Sequence, residues 1–296
     1  MNTLGLEIRD SAASAVAVDD AGVIVARALV ESTGDLPAAA VKAVDAVART
    51  AGSGPLGIVA IQPNGSSDAI VAALRQRYAG PFVQYGVMSA GIAAAVGEVW
   101  AGAARDRDDV VFFAVAEHAI AGVIREGAPM LGASCRAPSI AWLALNPVER
   151  EDYRKIGCLE AEVAAAGIVR RLTWRIKAGD RSRVEEAVGG DLSTLRVDHV
   201  LKAARDGDGV SISVMRDTAK YLGMAAANLV IVADPEMLVL GGLMATAADL
   251  LSEPVRIEVA RRLPRQVMDA LAIVPASLGE DAAAIGAARL ATAALK

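Results

Sequence analysis

The alternation of apolar and polar positions over the first 28 residues predicts three consecutive β-strands. Runs rich in strand-forming residues lie at Leu4–Ile8, Ala13–Val18 and Val23–Ala28. Asp19–Gly22, between the last two runs, is typical of a tight hairpin turn. The first turn is Arg9-Asp10-Ser11, so the chain opens with a hairpin whose turn carries two charged side chains.

Strand-like and helix-like segments then alternate, which predicts an α/β fold with mixed strand directions. We expect helices over Leu36–Thr50, Asp68–Tyr78 and Ala90–Ala103, and strands over Gly57–Ile61 and Phe82–Tyr85. A second strand–turn–strand unit, Val110–Ala116 and Ile120–Arg125, resembles the opening hairpin. This recurrence indicates a duplicated fold with a cleft between two lobes.

The remaining segments are mainly helical. Helices are predicted over Glu160–Lys177, Arg181–Val188, Val197–Ala204, Val210–Asn228, Ala245–Arg262 and Asp281–Leu295. Strands are predicted over Leu229–Val232, Met237–Leu240 and Ala272–Pro275.

Composition narrows the class of protein. Hydrophobic residues make up 54% of the chain and charged residues 22%, as in a packed soluble protein, and no apolar run reaches the ~18 residues of a membrane span. No secretory signal is apparent, so we expect a cytoplasmic protein with Cys135 and Cys158 reduced. The net charge of −5, with no basic patch interleaved with aromatics, argues against nucleic-acid binding.

Several stretches resemble the ROK family of bacterial repressors and sugar kinases. They are DTAKYLGMAAANLVIVADPEMLVLGG from Asp217, IVPASLGEDAAAIGAARLA from Ile273, GCLEA from Gly157 and AAAVGEVWAGA from Ala93. The resemblance implies the two-lobed actin-like ATPase (ribonuclease H-like) sugar-kinase fold with a central cleft. It further implies a small α/β lobe of residues 1–91 plus 278–296, a larger lobe of 92–277, and a homodimer.

The resemblance also identifies positions for phosphate binding, and this chain departs from the family at both turns. Where the family reads Asp, any residue, Gly, Gly, Thr, this chain has Glu7, Ile8, Arg9, Asp10 and Ser11. Where the family's second turn reads Gly-Thr-Gly, it has Ala116, Glu117 and His118. Both turns have lost the glycines that let backbone N–H groups surround a phosphate.

The family's catalytic Asn-Asp pair falls at Ser89-Ala90 in one register and at Gly86-Val87 in another, so the expected base position, Ala90 or Val87, is not acidic. Its Glu-x-Gly-His element is replaced by Ser139–Trp142, and its zinc-binding cysteines are reduced to Cys158. No structural zinc is therefore expected.

Other family positions are retained. Glu160 matches a sugar-binding acid, although an acid is also favoured near the start of a helix. Gly241-Gly242 resembles an adenosine-binding turn, or forms an ordinary strand-to-helix connection.

Glu117-His118 could form a new acid/base or metal site with Glu7, Arg9 and Asp10, because the two hairpins face one cleft in this fold. The favoured alternative is a salt-bridged plug that closes an unused cleft, with no bound metal. Trp142 is expected to pack in the core, and His199 to lie on the surface.

These departures favour a catalytically degenerate sugar-kinase homologue, a pseudokinase that binds a sugar-like ligand or a partner protein and needs no cofactor. The alternative is an ATP-dependent kinase of hexoses or N-acetyl amino sugars, with ATP and Mg²⁺, in which Glu98 or Glu117 replaces the base. A third interpretation is a transcriptional regulator lacking its DNA-binding domain.

Overall fold

The computed structural model describes residues 2–52, 54–60, 65–78 and 83–293, which form two β-sheets with helices packed around them. Strands β1 to β10 are Thr3–Ile8, Ala12–Val18, Ile24–Glu31, Leu56–Ala60, Val83–Ser89, Val110–Val115, Ala119–Arg125, Ala128–Pro129, Met237–Gly242 and Ala272–Pro275. Helices α1 to α13 are Leu36–Ala51, Gly65–Arg77, Ala90–Ala101, Glu151–Ile156, Cys158–Val163, Ala165–Lys177, Val184–Ala187, Val197–Arg205, Gly209–Ala233, Leu243–Thr246, Ala248–Ala260, Arg265–Ala270 and Ala282–Ala293. Ile61, Phe82 and Leu295, each at one end of a predicted element, lie outside the described residues.

The two sheets have the same arrangement of strands. The small-lobe sheet has the order β3-β2-β1-β4-β5, with β1 antiparallel to β2 and parallel to β4. The large-lobe sheet has the order β8-β7-β6-β9-β10, with β6 antiparallel to β7 and parallel to β9. This repetition confirms the predicted α/β fold with two related lobes, and it puts the β1–β2 and β6–β7 turns at equivalent positions.

Helices α3 and α13 pack against each other through small residues. A Cβ atom on Gly286 would lie 1.7 Å from the carbonyl oxygen of Ala93, and one on Gly5 would lie 1.8 Å from that of Ala284. Only glycine permits such an approach of one backbone to another. Through these contacts α13 packs against α3 and against β1. The lobe boundaries at 91/92 and 277/278 stay a prediction.

Three predicted elements are divided or replaced in the structure. The helix predicted over Ala245–Arg262 is divided at Ala247 into α10 and α11. The helix predicted over Glu160–Lys177 is two helices, α5 and α6, because Ala164 is extended. The strand predicted over Leu229–Val232 is wrong, since α9 continues to Ala233 and ends at Asp234 in a left-handed conformation. The β-branched run there favours a strand only as an isolated segment, and the preceding 20 residues of helix override that preference. No helix in the described part of the chain is long and apolar enough to cross a membrane.

Candidate functional site

The β1–β2 turn is occupied by an ion pair. Glu7 is buried at the end of β1, and Arg9 Nε donates to its Oε2 at 2.9 Å. Arg9 Nη2 also donates to the carbonyl oxygen of Glu280, at 2.9 Å, on the 3-10 helix that precedes α13. Burial raises the pKa of Glu7, and the charge of Arg9 offsets part of that rise. The Arg9 guanidinium therefore connects the turn to the segment leading into α13.

The β6–β7 turn presents His118 to the cleft. Ala116 N donates to the carbonyl oxygen of His118 at 3.0 Å, which closes the turn tightly. Ala165 N, at the start of α6, donates to the carbonyl oxygen of Ala116 at 2.9 Å. Glu117 is exposed at the tip, whereas the His118 side chain is only 21% exposed.

His118 connects the two turns. Its Nε2 lies 2.7 Å from Asp10 Oδ2 on the β1–β2 turn, and its Nδ1 lies 3.1 Å from Glu160 Oε1 on α5. Glu160 is buried, and its other oxygen accepts from Ala119 N at 3.1 Å. We refer to Asp10, His118 and Glu160 as the His118 clasp.

The clasp holds a charged imidazolium. Hydrogen bonding to Glu160 is the largest cause that raises the pKa of His118 to about 9, and Asp10 adds to it against the effect of burial. At neutral pH both ring nitrogens therefore carry protons and donate, one to each carboxylate. One cation between two carboxylates leaves the clasp with an excess of one negative charge.

The predicted cluster at the two turns forms only in part. His118 and Asp10 meet as expected, but Glu7 and Arg9 form a separate pair, and Glu117 lies outside both groups. Glu160 joins the clasp through His118 and lies in the first turn of α5, a shorter helix than the one predicted from Glu160 to Lys177. Its sugar-binding role stays a prediction. Among the described residues no three His, Cys, Asp or Glu side chains are arranged so that they could hold a metal ion together.

The two positions at which the resemblance leads us to expect the family's catalytic pair lie in β5 and at its junction with α3. Ser89 is the last residue of β5 and Ala90 the first of α3, whereas Val87 lies inside the strand, paired with Ile58. Ser89-Ala90 is therefore the register that occupies the strand-to-helix junction. Ala90 is fully buried and has no titratable group.

Glu98, proposed from sequence as a replacement base, has a structural environment. It is fully buried, and its Oε1 accepts from Ser277 N at 3.0 Å and from Leu278 N at 2.9 Å. Its Oε2 accepts from Ala103 N at 2.7 Å and from the Ser277 hydroxyl at 3.1 Å. With both oxygens bound inside the protein, Glu98 cannot reach a substrate hydroxyl, so that expectation is corrected.

The glycines of the Gly241-Gly242 turn are explained by contacts within the protein. Gly242 has a φ of +59°, and a Cβ on it would lie 2.1 Å from the carbonyl oxygen of Val115. A Cβ on Gly241 would lie 3.0 Å from the Cβ atom of Ala114. The pairing of β9 with β6 therefore requires small residues here, whether or not a nucleotide binds.

Three further sequence expectations are settled by position. Trp142, expected in the core, is 53% exposed, because it ends a one-turn 3-10 helix on which only Ile140 and Ala141 are buried. Cys135 is exposed and Cys158 buried, and both are free thiols. His199 is half-buried, and its Nδ1 accepts from Arg196 N at 3.1 Å, so it caps α8 rather than forming a site.

Comparisons with known proteins identify the family. The ROK family matches residues 57–294, and this chain belongs to that family. A glucokinase of Halalkalibacterium halodurans is 32% identical over 197 residues, covering 65% of this chain and 59% of the relative. The transcriptional dual regulator NagC of Escherichia coli is 28% identical over 175 residues, 58% of this chain and 41% of the regulator. The matched stretch thus spans less than two thirds of either relative.

Solved structures share the fold over nearly the whole chain. A ROK glucokinase from Streptomyces griseus, in complex with glucose and AMPPNP, has a TM-score of 0.82 at 23% identity, covering 99% of this chain and all of that one. A ROK family transcriptional regulator has the same TM-score at 18% identity, covering 99% of this chain and 78% of its own. The recognised family and the two-lobed fold are therefore confirmed.

Proposed function

We propose that this chain is a ROK protein that does not phosphorylate sugars and that acts by binding a sugar-like ligand or a partner protein. The observation that carries the proposal is the His118 clasp, which joins the two turns at which the family binds phosphate. A side-chain bridge occupies the positions where backbone N–H groups would have to approach a nucleotide.

Electrostatics support the proposal. The clasp carries one negative charge in excess, and Glu117 adds an exposed carboxylate beside it. A carboxylate about 4 Å from a phosphate oxygen costs roughly 4 kcal/mol at an effective dielectric of 20. The residues present therefore do not fit ATP with Mg²⁺, and we derive no catalytic step through them.

The base position supports it independently. A general base contributes about 10² to 10⁴ in rate, and Ala90 supplies none at the junction of β5 and α3. The only acid on α3, Glu98, is fully engaged by Ala103, Ser277 and Leu278.

The test is a pair of measurements on the full chain. We expect no ADP release with ATP·Mg²⁺ and a panel of hexoses and N-acetyl amino sugars, and no saturable heat on titration with ATP·Mg²⁺. Thermal shift with the same sugars would detect a retained sugar-binding role. Sugar-dependent ADP release above background would contradict the proposal.

The second candidate is an ATP-dependent sugar kinase, and the relatives favour it. A relative at 32% identity and another from Thermotoga maritima at 27% are glucokinases, and this kinship supports the kinase alternative better than it supports loss of activity. Of the two replacement bases considered, Glu117 is the one that remains exposed at the cleft. If turnover is found, Glu117→Gln should abolish it, whereas Glu253→Gln, at an exposed position of α11, should not.

We also propose a homodimer, as the family resemblance implies. Exposed apolar side chains near the end of α9, Ile231 and Val232, are compatible with a surface that is covered by a second copy. A monomer mass by light scattering would contradict this.

A further inference from the structure

A pocket of about 510 Å³ opens on the large lobe between α6 and the middle of α9. Asp10, His118 and Glu160 are not among the residues that line it. Its apolar wall includes Trp174, Val214 and Met224. The pocket is therefore distinct from the clasp, although Glu162, on its polar side, lies only two residues from Glu160 on α5.

The polar side of this pocket is cationic, in a protein whose net charge is −5. Four side-chain cations line it, against two carboxylates, Glu162 and Asp217. The cations are Arg150, Arg171, Arg175 and Lys220. This local excess of positive charge favours an anionic ligand, although the protein as a whole carries a negative charge.

One buried carboxylate serves two of these guanidiniums. Arg150 Nη1 lies 3.3 Å from Glu162 Oε1, and Arg171 Nε lies 3.7 Å from Glu162 Oε2. The Tyr153 hydroxyl also donates to Glu162. A single negative charge shared in this way leaves one guanidinium without a full counter-charge.

Arg171 is the cation with the least compensation. Its side chain is 13% exposed, and burial lowers its pKa, which means that its charged form is disfavoured where it lies. Its Nη2 donates to the Thr218 hydroxyl, but its buried Nε finds no hydrogen-bond acceptor within the described part of the chain. An anion in the pocket would supply the missing charge and acceptor.

The pocket has further cationic hydrogen-bond donors on the two helices that form it, α6 and α9. On α6, Arg175 pairs with Asp180 at 2.6 Å and donates to the Ser213 hydroxyl at 2.7 Å. On α9, Lys220 pairs with Asp217 at 2.9 Å and is 51% exposed, so its remaining donors face solvent. Guanidinium groups bind oxyanions through paired N–H donors, which suits a phosphate or carboxylate group.

We propose that this pocket binds a small organic anion, with a phosphate or carboxylate group held between Arg150, Arg171 and Lys220 and its less polar part against Val214 and Met224. The site goes beyond the proposed function, because no residue of the clasp takes part in it. A neutral sugar lacks the charge on which recognition depends.

The test is isothermal titration of the full chain at low salt with three probes: glucose 6-phosphate, citrate and glucose. We expect saturable binding of at least one anion, no binding of glucose at this site, and affinity that falls as salt rises. Comparing the two anions distinguishes a phosphate group from a carboxylate group as the recognised chemistry.

Two variants locate the site, and both remove partly exposed cations so that the fold is retained. Arg150→Gln and Lys220→Gln should each weaken anion binding by about tenfold, since a hydrogen bond to a charged group contributes about that much. Arg205→Gln, which breaks an exposed ion pair with Asp249 elsewhere on the lobe, is the matched control and should leave binding unchanged.

Unchanged anion affinity in Arg150→Gln and Lys220→Gln would overturn the proposal, as would the absence of saturable binding by either anion. These results are independent of ADP release, so failure here is distinguishable from failure of the proposed function.

Discussion

The contact of α13 with α3 and β1 keeps its glycines, whereas the two cleft turns, β1–β2 and β6–β7, do not. Where α13 meets α3 and β1, glycines lie so close to the opposing backbone that a Cβ would come within 1.7 to 1.8 Å of a carbonyl oxygen, at Gly286 and Gly5. At the two cleft turns, where the family resemblance leads us to expect glycines for phosphate, the chain has Arg9, Asp10, Ala116 and His118.

The difference separates folding from chemistry. The glycines of the helix contact are needed whatever the protein does, because helix and sheet cannot approach without them. The cleft turns hold their side chains without a backbone clash and use two of them, Asp10 and His118, to join the lobes. The backbone approaches of the fold have their glycines, while the cleft turns lack the glycines that the family resemblance leads us to expect.

The largest expected effect tests the helix contact. In Gly286→Ala the new Cβ would lie 1.7 Å from the Ala93 carbonyl oxygen, and neither backbone can move without separating α13 from α3. We expect a loss of more than about 3 kcal/mol in the free energy of unfolding, measured by urea denaturation.

Gly209→Ala is the matched control for that substitution. Gly209 begins α9 in open space: apart from its own neighbours in the chain, no described residue lies within 4 Å of the point that an alanine Cβ would occupy, so the variant should be neutral or slightly stabilising. Equal stability of the two variants would contradict the distinction between packing glycines and free ones.

The next prediction tests whether Glu98 stabilises the fold rather than acting as a catalytic base. Glu98→Ala would leave the N–H groups of Ala103, Ser277 and Leu278 without their acceptor. Ser277 is exposed and the other two residues are half-buried, so water replaces part of the lost bonding and each donor costs less than the roughly 1 to 3 kcal/mol of a fully buried one. We expect a loss of about 2 to 3 kcal/mol in denaturation experiments. Glu253→Ala, at an exposed position of α11, should change stability by less than about 0.5 kcal/mol, and a similarly small change for Glu98→Ala would reopen its role as a base.

The third effect is the pH dependence of the clasp. The folded pKa of His118, about 9, lies above its ordinary value of 6.5, so its contribution to stability is complete below pH 6.5 and is lost as the pH rises through 9. Because Asp10 is 74% exposed and screened by water, we expect this contribution to be about 1 to 2 kcal/mol.

The measurement is the difference in unfolding free energy between the wild type and His118→Gln, from about pH 6 to about pH 10, a range that spans both pKa values. This difference should shrink across the range. A difference that stays constant with pH would show that the clasp is not charged.

Local patterns in the sequence predicted the fold well, but the site depends on contacts between distant residues. The hairpin turns and the family segments each lie within short stretches, and so did the loss of glycines at Arg9-Asp10-Ser11. The pairing of His118 with Glu160 joins residues 42 positions apart, which no local pattern indicates. Trp142 was misplaced for a related reason, because its exposure depends on how a one-turn helix sits on the lobe.

The smallest expected effect comes from restoring a glycine to the second turn. Ala116 matches the first glycine of the family's Gly-Thr-Gly and is exposed, so Ala116→Gly removes no buried contact and should cost only about 0.5 to 1 kcal/mol of stability through added freedom of the unfolded chain. It should produce no sugar-dependent ADP release, because His118 still binds Asp10 and Ala90 still supplies no base. Appearance of turnover in a coupled assay would mean that one turn residue alone blocks the cleft, and the contrast between fold and chemistry would reduce to that single substitution.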